Sequence, residues 1–202
     1  MTTKVLLIRH GQTDWNRQRR VQGHLDIPLN ETGHAQAQAL AQRLAHWPIT
    51  TIYSSDLQRA VATAQPLAHT LNLPLNLSPN WRERFLGQFQ GLTIDELHQQ
   101  YGDATPNTTR YLIDPPDGES GQQLQQRIIH AWHDTITPHT DEMIAIITHG
   151  GALTALIAYI LNLDMATEIR FRMRGNTGLS IIHIDNGQPL LLRLNDTAHL
   201  DP

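Results

Sequence analysis

Two short apolar runs rich in β-branched residues, Val5–Ile8 and Met143–Ile147, are each followed within two residues by a histidine and a glycine, at His10-Gly11 and His149-Gly150. Runs of this length without polar alternation are how strands covered on both faces of a parallel sheet read, because helices shield both sides. A glycine at this point marks a tight strand-to-helix turn, and a helical pattern from Ala152 to Leu161 follows the second run. The pair predicts two buried strand–turn–helix units that leave histidines at the same, carboxyl-terminal end of one sheet. In open α/β sheets that end is where ligands bind.

The remaining pattern fits around these units. Thr50–Tyr53 is a further short strand, with Ser54 or Ser55 as N-cap for a helix carrying Leu57, Val61, Ala64 and Leu67. Asn30 caps a helix through Leu44, and Ser120 with Gln123 forms a capping box for a helix through about Ile136. Ile181–Ile184 and Leu190–Leu194 flank Asn186-Gly187, a hairpin signal that predicts an antiparallel edge. Between Gly91 and Gly121 the pattern weakens to one amphipathic piece, Thr93–Tyr101, and then Pro106, Asn107, Pro115, Pro116 and Gly118, which predicts a short irregular cap at about 88–118. With 202 residues, 40% of them hydrophobic, the expectation is a single α/β domain over 1–202 with a mostly parallel sheet.

Composition narrows the chemistry. There is no cysteine, which removes disulfides, thiolate nucleophiles and cysteine metal sites together. A net charge of −4 provides no basic field for a nucleic-acid backbone, so nucleic acid is not an expected partner. The stretch Met143–Leu163 is apolar enough to raise a membrane span, but Thr148, His149, Gly150 and Gly151 interrupt it, and a buried strand turning into a buried helix explains it better. Val5–Ile8 is too short for a signal-peptide core, so a cytoplasmic location is the default expectation and no membrane partner is expected. Lys4 is the only lysine among the 15 basic side chains; the rest are arginines, whose planar fork matches phosphate oxygens.

Arg9 and His10 after the first run, Arg59 in the first turn after Tyr53, and His149 with Gly150 after the later run all converge on one crevice. Two arginines, two histidines and helix-start N–H groups make a cationic pocket suited to a phosphoryl dianion. With no cysteine and no serine elbow, the available nucleophile is an imidazole, partly neutral near pH 7, and His10 is the candidate. Arg9, Asn16, Arg59 and His149 can stabilise charge on the equatorial oxygens, which makes a metal or other cofactor unnecessary. An alkoxide leaving group still needs a proton, and Glu83, within Trp81-Arg82-Glu83-Arg84, is the best-placed donor.

Other polar residues have ordinary explanations. His130 and His133 stand at i, i+3 on a helix without a third ligand in view, so no metal site is assigned. Arg17, Arg19 and Arg20 read as a solvated loop face, Trp81, Phe85 and Phe89 as core or pocket wall, and Asn176 as a polar residue near the site on the strand before the hairpin.

The segment Leu7-Ile8-Arg9-His10-Gly11-Gln12-Thr13-Asp14-Trp15-Asn16 resembles the signature of the histidine phosphatase superfamily, the phosphoglycerate mutase-like proteins. The resemblance continues through Gln22-Gly23, Asp26-Ile27-Pro28-Leu29, Gly33, Gln36-Ala37, Tyr53 to Ala60, Glu83 to Gly91, Pro116 to Ser120 and Thr148-His149-Gly150-Gly151. It implies a three-layer αβα sandwich, a phosphohistidine on His10, Glu83 as general acid and then base, and Arg9, Asn16, Arg59 and His149 around the phosphoryl group with Gln22 nearby. It also implies a small phosphorylated metabolite as partner.

Mutases of this family carry a longer insertion between the acid and the second histidine, and usually a tyrosine where this chain has Leu86. The short cap therefore favours a metal-independent phosphomonoesterase of the histidine acid phosphatase type, with a cofactor-dependent phosphoglycerate mutase as the enzymatic alternative and a non-catalytic phospho-ligand binding protein as the other. The cap residues from Gln88 to Pro116, Arg110 and Tyr111 among them, are expected to set the choice among sugar phosphates, phosphoglycerates, phosphoserine, α-ribazole phosphate and broader alkyl or aryl phosphates. The edge hairpin is a possible homodimer surface.

Overall fold

The computed structural model describes residues 2–101, 114–164, 171 and 173–201. Its strands are β1 (Thr2–Arg9), β2 (Ile49–Ser54), β3 (Leu75–Leu77), β4 (Met143–Thr148), β5 (Leu179–Asp185) and β6 (Gln188–Asp196). Its helices are α1 (Asp14–Arg17), α2 (Glu31–Leu44), α3 (Gln58–Leu71), α4 (Ile94–Tyr101), α5 (Gly121–Ile136) and α6 (Gly150–Ile160). The sheet runs β3-β2-β4-β1-β5-β6, with the first four strands parallel and the β5–β6 hairpin antiparallel at one edge. This is the predicted mixed α/β sheet; β3, three residues long, carried no readable pattern.

The apolar runs are continuous because both faces of the strands are covered. Val5, Leu7, Ile144 and Ile146 pack with α5 and α6 residues such as Leu124, Ile128, Leu153 and Leu156. Leu6, Ile8, Ala145 and Ile147 pack on the other side with Leu40 and Leu44 of α2 and Ala60, Ala64 and Leu67 of α3. These two clusters make the three layers. A fully buried leucine or isoleucine contributes about 1.5–3 kcal/mol of transfer free energy, and truncating Leu7 to alanine would cost about 2–5 kcal/mol. The Met143–Leu163 stretch is strand then helix, and among the described residues no helix is long and apolar enough to cross a membrane.

Asn30 caps α2 by accepting the Gly33 N–H at 2.9 Å, and Ser120 with Gln123 forms the expected box on α5. The serine cap expected for α3 is a correction: Leu57 holds the N-cap position without a side-chain bond, while Ser54 and Ser55 are both buried. Burial makes those hydroxyls satisfy other groups instead. The Asn186-Gly187 turn has φ of 49° and 80°, the left-handed pair that lets β5 fold back on β6. Leu190 and Leu192 of β6 are more than half exposed.

The described part of the cap is more regular than expected. A 3₁₀ turn at Gly87–Phe89 and α4 bury Leu86, Phe89 and Leu97 against Val21. Backbone bonds between Val21 and Leu92, Gly91 and Val21, and Ile94 and Arg19 fasten this unit to the 19–21 loop. Pro106, Asn107, Arg110 and Tyr111 lie outside the described residues.

Candidate active site

Sheet register brings the site together. Arg9 of β1 lies opposite Thr148 of β4, so the residues that follow, His10 and His149, are neighbours, and the His10 N–H donates to the Thr148 carbonyl at 2.9 Å. On the other side of β4, Ser54 lies opposite Ile147 and the Ser55 N–H donates to the Ile147 carbonyl at 2.9 Å, which brings Ser55 opposite Thr148, one residue short of His149. Three adjacent strands thus end in Ser55, His149 and His10. The two imidazoles are buried, with ring centroids 5.2 Å apart and planes 54° apart. The loop after His10 lies on the first turn of α2, and a Cβ on Gly33 would come 2.1 Å from the Gln12 carbonyl oxygen, so only glycine permits that approach.

Hydrogen bonds fix what each group offers. Nδ1 of His10 lies 2.7 Å from the Gly11 carbonyl, which can only accept, so the proton is on Nδ1 and Nε2 carries a lone pair. Burial, then the Arg59 and Arg9 charges, hold the His10 pKa well below its ordinary value against the opposing pull of the Gly11 carbonyl, so the ring is neutral at pH 7. Burial, Arg59 and His10 do the same to His149.

Arg59 is fully buried and donates to the Leu25 and Gly23 carbonyls at 2.8 Å each, with Nε unpaired. Burial pushes its pKa down to about 10, which leaves it charged at neutral pH. Arg9 is anchored by the Met173 and Arg174 carbonyls. The Asn16 Oδ1 accepts from Thr13 N, Thr13 Oγ1 and Asn176 Nδ2, so its NH₂ is the donor it has left to offer. Gln22 is buried with Oε1 unpaired, and Gly150 opens α6. Asn176 also donates to the His10 carbonyl at 3.0 Å; it sits in the turn before β5 rather than on a strand.

Glu83 is held at the start of α6. Its Oε2 accepts the Gly151 N–H at 3.0 Å and its Oε1 the Arg84 N–H at 2.9 Å. Its backbone carbonyl accepts from His24 Nε2 at 2.7 Å and from Arg127 at 3.2 Å. Arg127 also donates to the Asn80 and Arg82 carbonyls and pairs bidentately with Glu119. These contacts bring Arg9, His10, Asn16, Arg59, Glu83, His149 and Gly150 to this end of the sheet, and Gln22 precedes Gly23, whose carbonyl Arg59 holds. Sequence reasoning missed Ser55 as a partner of His149, and missed His24 and Arg127 as supports of Glu83; the only available signal was the place of Ser55 after a neighbouring strand. His130 and His133 are engaged elsewhere, with Asp134 and Tyr159, and Arg17 and Arg20 with Asp14 and Glu96.

A neutral imidazole lone pair, the buried Arg59 and half-buried Arg9 guanidinium groups and a carboxylate at the start of α6 can together hold a tetrahedral dianion, attack it in line and protonate what leaves. The histidine phosphatase superfamily (branch 1) profile matches residues 5–197. A probable phosphoglycerate mutase GpmB of Yersinia pestis is 35% identical over 98% of this chain and 95% of its own length. A metal-independent phosphoserine phosphatase of Arabidopsis thaliana is 33% identical over 98% and 83%. Among solved structures, Bacillus stearothermophilus YhfR superposes with a TM-score of 0.89 at 31% identity, covering 98% of this chain and 100% of the other. A phosphoserine phosphatase from Entamoeba histolytica bound to phosphoserine gives 0.85 at 28%, covering 98% and 99%. With the match running from the first strand past the last and taking in both histidine turns, this chain belongs to the histidine phosphatase superfamily.

Proposed function

We propose that this protein hydrolyses small phosphate monoesters without a metal, through a phosphohistidine on His10. The carrying observation is the Nδ1–H bond of His10 to Gly11, which leaves the Nε2 lone pair as nucleophile inside a buried cationic hollow. Nε2 attacks phosphorus as the ester P–O bond breaks, and Glu83 gives its proton to the departing oxygen. Arg9, Arg59, Asn16 and His149 meet the charge on the equatorial oxygens, with Gln22 and the Gly150 N–H beside them. Water then attacks the phosphohistidine, Glu83 takes its proton, and phosphate leaves with His10 restored. On this reading the chain acts as one catalytic domain, 1–202, whose cap region sets the choice of leaving group.

The names of the relatives include both phosphatases and a mutase. Hydrolysis is favoured by Leu86, which stands where the resemblance puts a mutase tyrosine: its side chain is buried in the cap cluster and offers no hydroxyl. The test is incubation with 3-phosphoglycerate and a bisphosphoglycerate primer in excess EDTA, beside a screen of phosphomonoesters that includes phosphoserine. Free phosphate release that survives EDTA is expected. Fast isomerisation with little free phosphate would make the protein a mutase, and loss of all activity in EDTA would make it a metal enzyme.

A further inference from the structure

We infer that Ser55 is a positioning residue that fixes the tautomer of His149, so that two chemically identical side chains present opposite faces to the phosphoryl group. Ser55 is fully buried, and its Oγ lies 2.9 Å from His149 Nε2. The same oxygen accepts the Leu57 N–H at 3.3 Å, and among the described residues Nε2 is the acceptor within reach of its hydrogen. The arrangement that gives the buried Ser55 hydrogen an acceptor has the hydroxyl donating to Nε2, which places the His149 proton on Nδ1 and leaves that N–H free for a ligand. Nδ1 is buried and has no partner among the described residues.

His10 also carries its proton on Nδ1, but spends it on the Gly11 carbonyl. The outcome is asymmetric. His10 turns a lone pair into the hollow and His149 turns an N–H, from rings 5.2 Å apart. The opposite His149 tautomer would aim a second lone pair at a dianion and leave the Ser55 hydrogen buried and unpaired, which is unfavourable on both counts. Sheet order produces the device, because Ser55 and His149 follow the adjacent strands β2 and β4.

The kinetic consequence rests on the phosphatase reading, whereas the tautomer does not, and the experiment separates the two. Long-range ¹H–¹⁵N spectra of the wild-type protein, with His149 assigned by its loss in His149→Gln, should show Nδ1 protonated and Nε2 unprotonated near pH 7.5. The reverse pattern would overturn the proposal, even for a protein that hydrolyses nothing. In Ser55→Ala the His149 signals should move to the other tautomer or to a mixture. The kcat should fall roughly 10- to 100-fold, the scale seen when the outer partner of a working histidine is removed, with a smaller change in KM. Ser55→Thr, which keeps the hydroxyl, should recover most of the loss. A Ser55→Ala protein with wild-type melting temperature and unchanged His149 tautomer would also overturn it.

Discussion

A Cβ placed on Gly151 would lie 2.0 Å from Oε1 of Glu83, whose Oε2 accepts the Gly151 N–H at 3.0 Å. The clash is with the end of a flexible side chain, not with backbone, so Gly151→Ala should fold normally and push the carboxylate aside. General acid catalysis is worth about 10²–10⁴-fold. Alkyl phosphates, which expel a poor leaving group, should lose about 10²-fold in kcat, and p-nitrophenyl phosphate, whose phenolate leaves unprotonated, much less. Glu83→Gln should show the same split. Equal losses on both substrates would remove Glu83 from the proton-donor role.

His10 is the only group proposed to bond covalently to phosphorus. Rapid acid-free quenching of the wild-type protein with labelled substrate should trap protein-bound phosphate that is stable to base and lost in acid. His10→Ala should neither turn over nor label. Vanadate, which accepts five-coordinate geometry, should compete with substrate. Labelling that persists in His10→Ala would place the nucleophile elsewhere.

The parts that could be read from the sequence are those in which one side chain type reports one local constraint. Asn30 and Ser120 announce helix starts, Asn186-Gly187 a hairpin, and the two apolar runs the buried strands that carry His10 and His149. Arg9, Arg59 and Glu83 were legible through the site they share. Contacts between a side chain and distant backbone leave no pattern: Arg127 reaches the carbonyls of residues 80, 82 and 83 from α5. Ser55 was misread for a related reason, since a serine after a strand looks like a cap until the neighbouring strand places an imidazole beside it.

Arg127 allows positioning of Glu83 to be separated from stability. Replacing it with methionine removes three bonds to the backbone around Glu83 and strands the largely buried Glu119 carboxylate. The expected cost is about 3 kcal/mol, or roughly 6–12 °C in Tm for a domain of this size. Adding Glu119→Met should restore much of the Tm, because the stranded charge is gone. It should not restore kcat on alkyl phosphates, because the Glu83 backbone still lacks its anchor. Recovery of both together would mean that Arg127 acts on stability alone.

The same burial that keeps His10 and His149 neutral makes the fold acid-sensitive in a defined window. Their pKa values lie well below 6.5 in the folded protein and near 6.5 once unfolded. Between those values the unfolded chain binds more protons, so stability is fully present above about pH 6.5 and declines as pH falls below it. Each histidine contributes a slope of up to about 1.4 kcal/mol per pH unit. The Arg82-paired Asp56, whose pKa is lowered chiefly by that hydrogen bond, adds its own loss only below the usual carboxylate range, so the histidines act first. Urea unfolding at pH 7.5, 6.5 and 5.5 should therefore show little change over the first step and a drop over the second, and His149→Gln should flatten that drop. Activity follows the opposite logic: because His10 stays neutral through this range, kcat/KM should not fall with an apparent pKa of 6.5 on the acid side. Stability constant down to pH 5.5 would show that these rings take up protons in the folded state and are not held neutral by burial and the neighbouring arginines.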